Sequence, residues 1–340
     1  MSGPRDLTPR EARDMFLDKR RTGSTELTVQ TYYYRLTEFV RWCDKSEIDR
    51  ITDLSGWDID RFEAARRSGD RAPTTIRGSM VALKQLLDYC ERIGAVDHDL
   101  PEKVDPPTLS KAEMTDDTKL SEGDATAFLN FYRESPATFG TDQHALLEVL
   151  WSTGARLGGV RALDLGDYSS EKRYLDFRHR PGSGTPLKNK DGGERPVAIP
   201  EVVCDVLDTY IARERWDKRD DHGRKPLFSS YQGRPSPATF RAWAYLVTEP
   251  CVCSGCPHGN RRGTCDLTHR NHASKCPSSR SPHQIRTGSI TWQRSSGLPR
   301  DVVSERVNAS PEVIDQHYDK PEEFERLEYR QRKYIDELEL

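Results

Sequence analysis

From Thr8 to Arg92 the apolar residues recur at the three- and four-residue intervals of helix faces, and nowhere alternate as a half-buried strand requires. Val29, Tyr32, Leu36, Phe39 and Cys43 mark one long amphipathic helix. Ile76, Met80, Leu83, Leu87 and Cys90 mark another, opened by Pro73, and Trp57 to Ala65 forms a shorter one between them. Thr8-Pro9-Arg10-Glu11 supplies an N-cap hydroxyl, a proline at N1 and a glutamate at N3, which together start a helix. Amphipathic helices that pair with no sheet bury their stripes against one another, so residues 5–96 are expected to form a four-helix domain.

Residues 97–118 carry Leu100-Pro101 and Asp105-Pro106-Pro107 and lose all periodicity, as an interdomain linker does. A second domain is expected over 119–340. Ser121 to Asp124 can cap a helix running through Tyr132, and Gln143 to Ser152 make a second. A β region follows: Tyr174 to Phe177, a Gly182-Ser183-Gly184 turn, then Pro186 to Lys190 and Arg195 to Ile199 with Asp191-Gly192 as a tight turn between them. Val202, Val203, Val206, Leu207, Tyr210 and Ile211 return to helical spacing, and a charged helix is expected from Glu322 to Glu337. The predicted class is mainly α with a small antiparallel sheet, α+β, in two domains, which agrees with a length of 340 residues.

The longest apolar runs fall far short of the roughly 18 residues a membrane span needs, and the polar start with Pro4 and Pro9 is unlike a secretory signal. A cytoplasmic protein with no membrane partner is expected. Lys and Arg number 52 against 55 Asp and Glu, a net charge of −3. That mean argues against a nucleic-acid partner, but the distribution does not. Bases recur at Arg61, Arg66, Arg67, Arg71 and Arg77 and again from Arg261 to Arg300, while acids gather in the linker and the C-terminal helix. A phosphate-binding Gly-rich loop, a dinucleotide fingerprint, a Gly-x-Ser-x-Gly elbow and a His-Glu-x-x-His pair are all missing.

The second domain instead carries separated basic residues in particular settings. Arg156 follows a helix that ends in Thr153-Gly154. Lys190 precedes Asp191-Gly192-Gly193 at a hairpin tip, with Lys188 as a rival. His283 and Arg286 lie three apart at a helix start, on one face. Tyr318, in His317-Tyr318-Asp319, lies shortly before another helix.

The order Arg156, Lys190, His283-x-x-Arg286, Tyr318 resembles the catalytic domain of the tyrosine recombinase, or phage-type integrase, family. Thr153-Gly154-Ala155-Arg156 is similar to that family's Thr-Gly-Leu-Arg, and the helical first domain to its core DNA-binding domain. The resemblance implies a site-specific DNA recombinase that cuts and rejoins DNA through a 3′-phosphotyrosyl link, so that rejoining needs no ATP and catalysis no cofactor. Physical chemistry assigns the same parts. Two arginines, Arg156 and Arg286, suit the phosphate because their planar forks bind it bidentately and stay charged. Lys190 would protonate the leaving 5′ oxygen. His283 would relay a proton or hold the phosphate, and Tyr318 would attack phosphorus. The resemblance also implies double-stranded DNA as partner, a homo-tetramer on two duplexes, and a C-terminal helix, Glu322 to Glu337, docked on a neighbouring protomer.

Two positions depart from the family pattern. An acid usually stands three residues after the first arginine, where this chain has Gly159. A His or Trp usually stands some ten residues before the tyrosine, where Asn308 is the substitute, able to donate a hydrogen bond to a phosphoryl oxygen but not to carry charge. Such variants, with the excess of Arg and Asp, resemble archaeal members of the family. The alternatives are a type IB topoisomerase-like enzyme, disfavoured by the lack of a long clamp domain, and a catalytically inactive zinc-containing DNA-binding protein.

Five of the eight cysteines crowd between Cys251 and Cys276. A local cluster in a chain of this type reads as metal binding rather than as disulfides. Residues 250–277 therefore form a cysteine-rich insertion, with Cys251, Cys256, Cys265 and Cys276 expected to hold a structural zinc and Cys253 as alternate for Cys251. Four closed ligands leave no catalytic position. Placed just before Ser281, the insertion would buttress the helix of His283 and Arg286, and its Arg261, Arg262, Arg270 and Lys275 could reach the DNA backbone.

Overall fold

The computed structural model describes residues 4–332 and Ile335. The chain divides into two compact units, 1–116 and 117–340.

In the first unit, α1 (Pro9–Arg21), α2 (Glu26–Lys45), α3 (Gly56–Arg67) and α4 (Pro73–Arg92) pack around one core. The Thr8 hydroxyl accepts from the Glu11 amide at 3.2 Å, and the Glu11 carboxylate accepts from the Thr8 amide at 2.9 Å, so the predicted capping box starts α1. Leu36, Phe39, Cys43, Met80, Leu83, Leu87 and Cys90 are all buried, as their spacing requires. The proline-rich stretch from residue 97 does not leave the bundle at once. Leu100 and Val104 are buried in the helical core, and a short helix α5 (Lys111–Met114) follows. The loss of periodicity there marks a packed loop before it marks a connection.

The second unit is built around α7 (Asp142–Thr153), buried along nearly its whole length. It packs against α6 (Glu122–Glu134), α9 (Glu201–Arg213), α10 (Pro237–Val247) and α11 (Pro282–Ser295). A short α8 (Leu157–Ala162) leads into a three-stranded antiparallel sheet in the order β1 (Tyr168–Ser169), β2 (Tyr174–Phe177), β3 (Arg195–Ala198). Leu175 faces Val197 and Phe177 faces Arg195 across the β2–β3 pair. The predicted strand at Pro186 to Lys190 does not form. Residues 178–194 are instead one long irregular connection, closed by an Arg180–Thr185 bridge and ending in a 3₁₀ turn over Lys190–Gly193. Lys190 therefore lies on the connection between β2 and β3, not at the tip of a two-residue turn.

After α11 come α12 (Arg300–Val307), α13 (Pro311–Val313), a wide π-type turn over Ile314–Tyr318, and α14 (Glu323–Arg326). The expected helix from Glu322 to Glu337 is a short α14 followed by a π-type run over Leu327–Arg332. Its predicted end, including Glu337, lies outside the described residues.

Candidate active site

Four elements converge where α7 and α12 end. α7 stops at Gly154, whose φ of +60° gives the left-handed cap that turns the chain into Ala155-Arg156. Arg156 is the N-cap of α8 and half-buried. Arg286 sits on the first turns of α11, which Ser281 and Gln284 cap reciprocally, and it is only 1% exposed. Tyr318 ends the π-type turn and is buried.

The C-terminal carbonyls of α12 hold three arginines in succession. The Arg306 carbonyl accepts from Arg195 Nε at 2.7 Å, the Val307 carbonyl from Arg286 Nη1 at 3.0 Å, and the Asn308 carbonyl from Arg156 Nη1 at 2.7 Å. Such carbonyls have no partner within the helix and carry the negative end of its dipole, so they suit guanidinium groups. The end of α7 adds the Gly154 carbonyl to Arg286 at 2.5 Å and the Ser152 carbonyl to Arg306 at 2.9 Å. No carboxylate among the described residues forms an ion pair with Arg156, Arg195, Arg286 or Arg306.

The physical consequence is a concentrated, unneutralised positive charge. Burial, then the neighbouring Arg286, Arg156 and Arg306, pull the Arg195 guanidinium down to about 10. Burial does the same to Arg286, also to about 10, with Arg156 adding to the effect. Nε and Nη2 of Arg286 are buried without a hydrogen-bond acceptor among the described residues. Buried charged donors left without acceptors are costly, and an anion is the group that would satisfy them.

The predicted nucleophile lies against these donors. The Arg286 guanidinium carbon is 4.5 Å from the Tyr318 ring centre, and the His283 ring centre is 5.3 Å from it. His283 is exposed at the second position of α11. Lys190 is exposed on its loop, with φ +52°. Asn308 caps α12 at φ +50°, and its side chain reaches that loop: Asn189 Nδ2 donates to its Oδ1 at 2.6 Å, and its Nδ2 donates to the Gly192 carbonyl at 2.8 Å. The structure thus brings Arg156, His283, Arg286, Asn308 and Tyr318 together, with the Lys190 loop tied to Asn308.

Gly159 is buried, and a Cβ there would lie 3.2 Å from Phe177 Cδ1, a tight contact that needs the Phe177 ring to give by a few tenths of an ångström. Support of Arg286 falls to the Gly154 and Val307 carbonyls. Arg195 and Arg306 were not legible as site residues. Arg195 begins a strand, and its partner is a carbonyl more than a hundred residues away, so no local pattern marks it.

The cysteine-rich insertion departs from expectation. Its five thiols are free, and among the described residues no three His, Cys, Asp or Glu side chains are grouped to hold a metal ion. The four-thiolate site over Cys251, Cys256, Cys265 and Cys276 is therefore not assembled. Arg262 instead donates to Cys251 Sγ at 3.0 Å and to the buried Glu249 at 2.6 Å. The segment folds as short 3₁₀ turns fastened by side chains, with Ala273 buried and Arg270 bonded to Thr239. Arg262 and Arg270 thus each hold a partner within the protein, Glu249 and Thr239, while remaining exposed.

Four of the five arginines in the basic run of the first unit are likewise paired. Arg61 meets Asp58, Arg67 meets Glu63, and Arg66 and Arg71 share Glu38. No helix among the described residues is long and apolar enough to cross a membrane.

Residues 16–94 match the phage integrase N-terminal SAM-like domain family. Tyrosine recombinase XerD of Mycobacterium tuberculosis is 26% identical over 227 residues, 62% of this chain and 67% of the relative. Tyrosine recombinase XerC of Roseiflexus sp. is 24% identical over 209 residues, 61% of this chain and 63% of its own length. Among solved structures, the lambda integrase dimer bound to a COC′ core site aligns with a TM-score of 0.65 at 11% identity, over 93% of this chain and 79% of that one. The Tn1549 transposon integrase in complex with a circular intermediate DNA gives 0.62 at 14% identity, over 96% and 99%. The structural likenesses establish the fold, and the sequence relatives, named tyrosine recombinases, support a tyrosine-type site-specific recombinase. In sequence the chain is similar to tyrosine recombinases, and over residues 16–94 to the phage integrase N-terminal SAM-like domain family.

Proposed function

We propose that this recombinase cuts and rejoins double-stranded DNA through a 3′-phosphotyrosyl intermediate formed on Tyr318. The observation that carries the reading is the buried Nε and Nη2 of Arg286 beside the Tyr318 ring, without an acceptor among the described residues, within an arginine cluster that no carboxylate among them pairs. Arg156 and Arg286 hold the non-bridging oxygens of the scissile phosphate and stabilise the charge that builds there. The Tyr318 oxygen bonds to phosphorus as the bond from phosphorus to the 5′ oxygen breaks. The tyrosine proton passes to His283, and Lys190 protonates the departing 5′ oxygen. Rejoining reverses both transfers, and each step is carried by side chains of the chain itself.

Two duplexes must be exchanged, so four protomers act together. A solved lambda integrase tetramer bound to a Holliday junction, with a TM-score of 0.62 to this chain, supports that reading. The exposed Phe324 and Leu327 on the C-terminal segment are candidates for contact with a neighbouring protomer.

The test uses nicked duplexes tiled across the DNA flanking the gene. A covalent protein–DNA adduct on a denaturing gel is expected with the wild type and none with Tyr318→Phe. Adduct that survives in Tyr318→Phe, or none with the wild type on any duplex, overturns the proposal. Recombinant junctions between two sites are expected, whereas relaxation of supercoils without them supports the topoisomerase alternative.

A further inference from the structure

The amide of Asn308 is engaged at both ends by the loop that carries Lys190. Its Oδ1 accepts from Asn189 and its Nδ2 donates to the Gly192 carbonyl, so the clasped residues bracket Lys190. Lys190 holds φ +52°, a region that costs a side-chain-bearing residue about 1 kcal/mol or more and persists only when its surroundings impose it. Asn308 is itself at φ +50°, where asparagine is among the best tolerated residues, and its own carbonyl holds Arg156 at 2.7 Å. A single residue thus fixes the Lys190 loop and Arg156 relative to each other.

We propose that Asn308 is a positioning residue that acts through Lys190, clasping its loop over the arginine cluster, rather than a direct donor to the phosphoryl oxygens. The inference rests on the recombinase reading above, with Lys190 as general acid. In one residue it joins the leaving-group proton donor to the phosphate clamp, which fits an amide with geometry but no charge.

Chemistry separates the two roles. In DNA whose scissile 5′ bridging oxygen is replaced by sulfur, Tyr318 still forms its bond to phosphorus while the phosphorus–sulfur bond breaks. The electron pair leaves on sulfur, whose thiolate is stable without a proton. General-acid catalysis then contributes little, and phosphate contacts contribute as before. On ordinary DNA, Lys190→Ala and Asn308→Ala are each expected to slow single-turnover cleavage by about 10²-fold or more. On the sulfur substrate both are expected to return to within about tenfold of wild type. Arg286→Ala is expected to stay slow on both substrates.

If Asn308→Ala stays slow on sulfur as Arg286→Ala does, Asn308 contacts the phosphate directly and the proposal is overturned. Wild-type rates for Asn308→Ala on ordinary DNA overturn it too. Asn189→Ala opens the clasp from the loop side and leaves the left-handed cap of α12 intact, so it repeats the test should Asn308→Ala fold poorly. Absence of any wild-type adduct removes the recombinase reading itself, and failure of sulfur to restore Lys190→Ala removes its general acid and the clasp with it.

Discussion

At the scale of single residues, the site is an economy of donors. Guanidinium groups outnumber the charged acceptors near them, and helix-end carbonyls hold them without cancelling their charge. Arg286 illustrates why arginine is required. One nitrogen is spent on Gly154 and Val307, and two more remain as a fork beside Tyr318. A lysine has one nitrogen and cannot serve both sides. Arg286→Lys is therefore expected to lower the single-turnover cleavage rate by about 10²-fold or more while the fold persists. Cleavage within tenfold of wild type would show that one cationic contact is enough. The lowered affinity of Arg286 and Arg195 for their protons, to about 10, leaves both fully charged at neutral pH. Relative to the unfolded chain the cost of burying that charge is present below pH 10 and is relieved as pH rises through it.

At the scale of elements, the site depends on where helices stop. α12 matters for its last three carbonyls, α7 for its left-handed cap, and α11 for a start that presents His283 and Arg286 on one face. α11 is also pinned by a close approach. The Leu120 amide donates to the Gln284 carbonyl at 3.0 Å, and a Cβ on Gly288 would fall 2.0 Å from the Leu120 carbonyl oxygen. Gly288→Ala must push α11 and the start of the second unit apart. It is expected to destabilise that unit by about 3 kcal/mol, read as a lower midpoint in denaturant unfolding. An unchanged midpoint would show that the contact relaxes freely. The capping boxes, the helical stripes and the helix ending at Gly154 were legible because they depend on neighbours three or four residues away. The β2–β3 connection was not. Its glycines and polar residues satisfy several turn types, and long-range bonds to Asn308 and Arg306 select among them.

At the scale of the whole molecule, a net charge of −3 conceals two different fates for arginine. In the helical unit Arg61, Arg66, Arg67 and Arg71 are answered by nearby acids, and Arg66, 6% exposed, depends on Glu38 and Ser79. In the other unit the four arginines gathered where α7 and α12 end, Arg156, Arg195, Arg286 and Arg306, have no acid partner among the described residues. Charge counted along the sequence cannot tell these apart. Glu38→Gln is expected to destabilise the chain by about 1–3 kcal/mol, because Arg66 stays buried with its countercharge gone. DNA affinity at fixed salt is expected not to fall. Thermal unfolding and a binding titration on one preparation check both, and a loss of DNA binding would place Glu38 in the DNA-contacting face.

The sequence by itself determined what local rules control: two helical units, their caps and stripes, and an ordered set of Arg, Lys, His, Arg and Tyr at separations that only a converging fold can use. Tertiary structure decided what depends on distant partners. It placed Arg195 and Arg306 beside the expected arginines, set Phe177 close to Gly159, turned Arg262 onto Cys251, and tied Asn308 to the Lys190 loop. The physical reason is the reach of the forces. Helix propensity and capping act within one turn of the chain. Burial, charge and long-range hydrogen bonds act between residues more than a hundred positions apart, and no local pattern records them.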